Sequence, residues 1–276
     1  MTTHRVIQAP MAYVQPPSLA AAVSNAGALG VIAGAGLSPD ALREAIREVR
    51  SLTDEPFGVN LFAPPYLDED ALAVVVEERP AVFSFTMGVL DPDALHAAGI
   101  EVHGTATTVE EADYLRAAGV DAVVAQAAEA GGHRGSFLDG FPLVPLAELV
   151  PAIEGIPVIA AGGIVTRDDV RAALELGAAG VQVGTAFLFT HECERPRAHL
   201  DALRNYDTVV TDAYTGRPAR AACDDVLQSL MAGPPPLPFP QQRAVSAERG
   251  PLYMAGTGAK RCREQSVAEL VAELRA

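Results

Sequence analysis

The chain reads as an α/β protein, a (β/α)8 TIM barrel with a C-terminal helical and irregular appendage. Three observations predict it. Eight short apolar segments follow one another, most at intervals of about 20–28 residues, the usual size of a strand–helix unit. They are apolar on both faces, as parallel strands covered by helices must be. And one phrase recurs: a helix-like stretch closes on a glycine, then a strand begins. Asn25-Ala26-Gly27 precedes Leu29–Ile32, Ala98-Gly99 precedes Ile100–Val102, Ala118-Gly119 precedes Val120–Val124, and Gly177–Gly180 precedes Val181–Val183. Glycine closes a helix because it takes the left-handed conformation without strain.

In order, the expected strands are Val6–Pro10, Leu29–Ala33, Phe57–Leu61, Ala81–Thr86, Glu101–Thr105, Ala122–Gln126, Pro157–Ala161 and Val181–Thr185. Ser38-Pro39-Asp40 starts a helix with a cap, a proline in the first turn and an acid near the dipole. Leu42, Ala45, Ile46 and Val49 give that helix its buried face. Thr166 before Arg167-Asp168-Asp169 looks like another start. A doubly wound open sheet has the same local signature, and the strand count favours the barrel over it. Residues 1–190 form the expected barrel core. Residues 191–276 form a segment packed on it, with a helix through Arg197, Leu200 and Leu203 and an irregular stretch around Thr211–Arg220. A proline-rich extended connector follows near 234–240, then a closing helix over Ser266–Leu274.

A net charge of −15 without a basic stripe argues against nucleic acid or an anionic membrane as partner. Lys260 is the only lysine, which reads as a habit of base composition. Cys193, Cys223 and Cys262 are few, odd in number and lack metal-ligand spacing, which fits a reduced cytoplasm. A strand is reached by Val6, leaving no room for a signal peptide, and no apolar run is long enough to span a bilayer.

Three constellations carry chemistry. Gly162-Gly163 ends the seventh strand and Gly184-Thr185 the eighth, where barrels commonly bind phosphate. Glycines there let backbone N–H groups approach an anion, and a helix N-terminus adds a favourable dipole. Tight turns alone are the competing explanation. The long loop Ala127–Phe141 holds Glu129-Ala130-Gly131-Gly132-His133-Arg134-Gly135. A glycine-flanked histidine at a barrel mouth is exposed and titrates near neutrality, suiting proton transfer or hydrogen bonding to an anion. A solvated loop histidine is the bland alternative. Asn60, Thr86, Thr105 and Gln126 are polar where apolar strands stop. Each could cap the next helix, and together they could hydrogen-bond a planar heterocycle. No metal is expected.

These motifs resemble the nitronate monooxygenase family, formerly 2-nitropropane dioxygenases. The likeness runs through Gln8–Met11, Leu19–Gly27, Pro56–Phe62, Ser84–Gly88, Glu129–Gly135, Pro157–Ile164, Gln182–Phe187 and Thr215–Arg220. It implies FMN as cofactor, contacted by Ala9, Pro10, Met11 and Asn60. It places the FMN phosphate at Gly162, Gly163, Gly184 and Thr185, and makes His133 catalytic. Thr105, Gln126 and Gly131 are added as cofactor contacts by position. The implied reaction is oxidative denitrification of an alkyl nitronate to a carbonyl compound and nitrite with O2. The alternative is an NAD(P)H-dependent FMN reductase of an enoyl thioester or quinone, since such reductases share fold and motifs. A flavin-free binding barrel is a third reading. Expected partners are a small substrate (a nitronate or similar anion) and O2, with neither nucleic acid nor membrane, and with a homodimer allowed. The sequence departs from the family in a short loop after Met11, in Ala221–Asp225, and at Thr257, where some relatives carry lysine.

Overall fold

The computed structural model describes residues 5–12, 14–138 and 140–275. Its strands are β1 (Val6–Gln8), β2 (Gly30–Ala33), β3 (Phe57–Phe62), β4 (Val82–Thr86), β5 (Glu101–Ala106), β6 (Ala122–Gln126), β7 (Gly132–His133), β8 (Val158–Ala161), β9 (Gly180–Val183), β10 (Thr208–Thr211) and β11 (Ala219–Ala222). Eight of them form one parallel sheet in the order β1-β9-β8-β6-β5-β4-β3-β2. The seam between its ends closes through Ile7 against Leu29, with Gln8 N–H on Leu29 O at 2.9 Å and Leu29 N–H on Val6 O at 3.0 Å. The buried Gln8 side chain reinforces that seam by accepting from Val31 N–H at 3.1 Å. The first strand is shorter than expected; Pro10, with no N–H, cannot extend its ladder.

The helices are α1 (Pro17–Asn25), α2 (Pro39–Leu52), α3 (Glu69–Glu78), α4 (Asp93–Ala97), α5 (Val109–Ala118), α6 (Leu146–Ala152), α7 (Arg167–Glu175), α8 (Arg197–Asn205), α9 (Asp225–Met231), α10 (Gln241–Ala247) and α11 (Val267–Arg275). Ser38 caps α2 by accepting from Ala41 N–H at 3.2 Å. Gly119 closes α5 at φ 92°, which is why the recurring glycine stands there. Gly30 has a different reason: a Cβ would lie 1.9 Å from Ala20 O, so α1 can sit on β2 only if that position is bare.

Ile7, Leu29, Val31, Val82, Ala122, Val124, Ile159 and Ala161 fill the barrel interior, a packed core rather than a pore. The opposite faces of the strands join the helices in a larger outer core. α11 packs against α1 and α7. The C-terminal segment also supplies strands: β10 and β11 form a second, antiparallel sheet with β7 of the long loop, which the sequence pattern did not signal. No helix among the described residues is long and apolar enough to cross a membrane.

Candidate functional site

The C-terminal ends of the strands form the mouth of the barrel. β8 ends in a turn at Gly162 (φ 137°) and Gly163 (φ 72°), backbone that side-chain-bearing residues rarely adopt. After β9, Gly184 leads into a 3-10 turn opened by Thr185. A Cβ on Gly184 would meet only Ala9 Cβ at 3.2 Å and Met11 Sδ at 4.0 Å, so Ala9 and Met11, just past β1, face this turn at the end of the neighbouring β9. Thr185 Oγ1 accepts from Gly256 N–H at 2.9 Å, and Thr257 N–H donates to Glu129 O at 3.0 Å. Thus the segments 129–131, 162–163, 184–185 and 256–257 converge on one half-buried, glycine-walled corner. Gly131 is bare because residues 255–256 pass over it; a Cβ would lie 2.4 Å from Ala255 C.

The expected helix dipole behind this corner is already engaged. Asp169 and Thr166 form a capping box on α7, and Asp169 also accepts from Val165 N–H at 3.0 Å. Arg261 braces the turn from behind, pairing with Asp169 at 2.9 Å and donating to Gly163 O at 2.8 Å.

From the same corner, residues 129–135 run across the mouth. Gln126, at the end of β6, donates to His133 O at 2.9 Å and accepts from Gly135 N–H at 2.8 Å. Gly135 lies directly over β4 and β5: a Cβ would meet Thr86 Oγ1 at 2.7 Å and Thr105 Cγ2 at 2.9 Å. Met87 N–H donates to Gly135 O at 3.2 Å from a left-handed φ of 69°, unusual for a non-glycine residue. On the other side, His133 pairs with Ala219 and Gly132 with Arg220, joining the loop to β11. So Thr86, Thr105 and Gln126 do converge, but Gln126 spends both ends of its amide on the loop. Asn60 is buried and donates to Ser84 Oγ at 2.9 Å and Ser84 O at 3.1 Å.

Three arginines fasten the loop through carbonyl oxygens. Arg134, fully buried, donates to Ala127 O at 2.7 Å and Gln126 O at 2.9 Å. Arg217, also buried, donates to Arg134 O at 3.0 Å and to Ser136 O. Arg220 donates to Ala128 O at 2.6 Å and Thr208 O at 3.3 Å. Carbonyls take most of these donors, Arg134 Nε is left buried without a partner among the described residues, and the charges of Glu111 and Glu129 stand nearby. Burial pushes the Arg134 pKa down to about 10, with Arg220 adding to the shift. The buried Glu111 carboxylate closes the far end of the loop, accepting from Phe137 N–H at 2.7 Å and Thr107 N–H at 2.6 Å.

His133 departs from the expected exposed, near-neutral histidine. It is half-buried, and its Nε2 is buried with no hydrogen-bond partner among the described residues. The Phe239 ring stands edge-on to it at 5.5 Å, and Tyr66 stands edge-on to Phe239 at 5.2 Å. Burial, then the charges of Arg217 and Arg243, push its pKa down to about 4, so it is neutral at pH 7.

Sequence reading missed Arg134, Arg217, Arg220, Tyr66, Phe239 and Gly256 as site residues. The arginine excess was a usable signal, since a guanidinium fork bridges two carbonyls where an ammonium cannot. Phe239 had no local signal, because only the fold brings it to the mouth. Among the described residues, no group of three or more His, Cys, Asp or Glu could hold a metal.

Comparison with known proteins gives the family. The family model described as nitronate monooxygenase matches residues 1–73 and 64–276. The chain is 40% identical to a nitronate monooxygenase of Pseudomonas aeruginosa, covering 98% of this chain and 94% of that one. It is 36% identical to a probable nitronate monooxygenase of Bacillus subtilis, covering 88% and 84%. Among solved structures, a nitroalkane oxidase from Streptomyces ansochromogenes matches with a TM-score of 0.91 and 33% identity over 99% of this chain and 95% of that one. FabK from Thermotoga maritima matches at 0.85 and 31%, over 99% and 91%. With the family model and these relatives spanning nearly all of a barrel whose mouth carries the glycine corner and the histidine loop, the chain belongs to the nitronate monooxygenase family.

Proposed function

We propose that the protein is an FMN enzyme that oxidises alkyl nitronates to a carbonyl compound and nitrite with O2. The observation that carries this reading is the buried Nε2 of His133, without a hydrogen-bond partner among the described residues and with the Arg217 guanidinium nearby. An unsatisfied buried polar atom costs about 1–3 kcal/mol, a cost that a site-bound ligand removes. A neutral histidine among cations favours an anionic ligand over a neutral or cationic one.

The residues present fit FMN. The loop 129–135 links the glycine corner to the mouth, so phosphate at Gly162, Gly163, Gly184 and Thr185 would leave the ring system near His133. Ala9–Met11 and Asn60 would border it. Gln126 and Gly131 would act on it chiefly through the loop they position.

A bound flavin supplies one-electron exchange with the substrate and with O2. The protein supplies place and charge. Nε2 of His133 meets the nitronate oxygens. The anion raises the histidine's pKa on binding, so the imidazole can take a proton and hold the substrate as a charged donor. Phe239 keeps water from the ring, which strengthens that contact. The carbon–nitrogen bond breaks, nitrite leaves, and oxygen from O2 becomes the carbonyl oxygen, so that two nitronates and one O2 give two carbonyl compounds and two nitrites.

The test is anaerobic mixing of the yellow holoenzyme with nitronates, followed by air and a nitrite assay. Bleaching by nitronate, with nitrite released on aeration, is expected. Bleaching by NAD(P)H alone would transfer the protein to the reductase reading, which the similarity to FabK keeps as the second choice.

A further inference from the structure

We propose that Arg217 is the positioning residue for His133. Its guanidinium holds the histidine loop by the two carbonyls that flank Gly135, while its own turn braces the aromatic wall against the histidine ring. The inference rests on the reading of His133 as the group that meets the substrate.

The motif Thr215-Gly216-Arg217 has one task per residue. Thr215 Oγ1 donates to Arg217 O at 2.7 Å and accepts from Arg217 N–H at 3.3 Å, which fixes the arginine's backbone. Gly216 adopts φ 78°, and a Cβ there would lie 2.2 Å from Leu237 O and 2.6 Å from Phe239 N. Only a bare position lets the segment carrying Phe239 come so close, and Phe239 is the ring against His133. Arg217 then reaches the other way, with Nε on Arg134 O at 3.0 Å and a terminal nitrogen on Ser136 O. The Phe141 ring lies under the guanidinium at 5.2 Å. The fork spans two acceptors two residues apart; a lysine ammonium is a single point and cannot hold that geometry.

The loop is therefore clamped between Gln126 from the barrel and Arg217 from the C-terminal segment. The charged groups facing His133 are Arg217, from the turn before β11, and Arg243, from α10; Phe239 and Gln126 bring none, and Arg220 of β11 turns its guanidinium to Ala128 O and Thr208 O. Tyr66 is the further titratable neighbour, in contact with Phe239 and Arg217. Arg217 thus sets both where the imidazole stands and, with Arg243, how strongly it resists a proton before an anion arrives.

The test compares Arg217→Lys and Arg217→Gln in the FMN holoenzyme, with ethyl nitronate as probe and NMR titration of 13C-labelled histidine as a second readout. Arg217→Lys keeps the charge and loses the fork. We expect kcat to fall by about 10- to 100-fold with KM changed less than about threefold, as for a reacting group displaced by roughly 1 Å. The His133 titration should stay where it is in wild type. Arg217→Gln removes the charge as well, so kcat should fall at least as far and the His133 midpoint should rise. A wild-type kcat in Arg217→Lys, or a His133 midpoint unmoved in Arg217→Gln, overturns the proposal. Should Arg217→Gln fail to fold, Arg217→Lys decides alone. The titration needs no turnover, so it judges Arg217 even if ethyl nitronate leaves the wild-type flavin oxidised. That last outcome would count against the proposed function instead.

Discussion

Gln126 holds His133 through its main chain and not through its ring, with Nε2 donating to the His133 carbonyl at 2.9 Å. The other end of the same amide accepts from Gly135 N–H at 2.8 Å, so one side chain brackets the histidine's exit from β7. Gln126→Leu keeps the volume and removes both bonds. Two partners left without hydrogen bonds should cost about 1–3 kcal/mol, read by urea denaturation. Turnover should fall roughly tenfold or more as the loop loosens. A Leu variant as stable and as active as wild type would show that β11 and Arg217 suffice to hold the loop.

His133→Asn should retain FMN, because the glycine corner lies on other strands, and lose turnover by about 10²–10⁴-fold. Flavin absorbance after gel filtration and anaerobic bleaching by nitronates report the two effects separately. Equal bleaching rates in variant and wild type would remove His133 from the chemistry.

The buried neutral state of His133 also predicts acid sensitivity of the fold. Its folded pKa of about 4 lies below the ordinary 6.5, so the unfolded chain binds more protons between those values. Stability should therefore be highest above pH 6.5 on this account and fall as pH drops toward 4. The loss from this one group is on the order of 3 kcal/mol. Denaturation curves at pH 7 and 4.5 for wild type and His133→Asn test it; the variant should lose less between the two, and an equal loss would contradict the buried neutral histidine.

Gly184→Asp should abolish flavin binding and leave the barrel folded. Its φ of −112° lies outside the left-handed region, and an added Cβ would meet the Ala9 methyl at 3.2 Å, a contact that a shift of a few tenths of an ångström relieves. At an effective dielectric near 20, a carboxylate about 4 Å from a phosphate charge costs roughly 4 kcal/mol, or about three decades in affinity. Gly163→Asp is the poorer probe, since φ 72° would strain any side chain there. A yellow Gly184→Asp protein with unchanged FMN affinity would move the phosphate elsewhere.

Away from the mouth, Glu78 at the end of α3 gathers three arginines of α2: Arg43 at 3.2 Å, Arg47 at 2.9 Å and Arg50 at 2.8 Å. Burial pushes the Glu78 carboxyl up, but the bonds from Arg50, Arg43 and Arg47 outweigh it and hold its pKa below the usual carboxylate value. A depressed carboxylate stabilises the fold above its unfolded pKa, and that share is lost as pH falls through the folded value. Glu78→Gln should cost about 1–3 kcal/mol at pH 7 and progressively less at low pH. A loss independent of pH would point to packing rather than charge.

The repeated α/β grammar was legible because each unit announces itself locally. Ser38 and Thr166 sit where their helices begin, and Gly119 where its helix ends. Gly162, Gly163, Gly184 and Thr185 could be placed at one corner because strand order in a barrel follows chain order. What escaped was non-local. β7 has only the two residues Gly132 and His133, too few for a periodic pattern, and becomes a strand only because Ala219 and Arg220 pair with it. His133 looked solvent-facing among glycines because nothing near it in sequence announces Phe239, about a hundred positions later. The charge state of the site was hidden for the same reason, since Arg217 acts on a loop 81 residues before it.

The pairing of β7 with β11 has a consequence for timing. All eight staves of the barrel are present once Val183 has been made, but the strand that aligns His133 begins at Ala219. During synthesis the N-terminal part folds first, so a barrel can close while its histidine still swings free. The proposed arrangement around His133 is thus completed after the barrel itself, once the chain has passed Ala219 and the segment that carries Phe239.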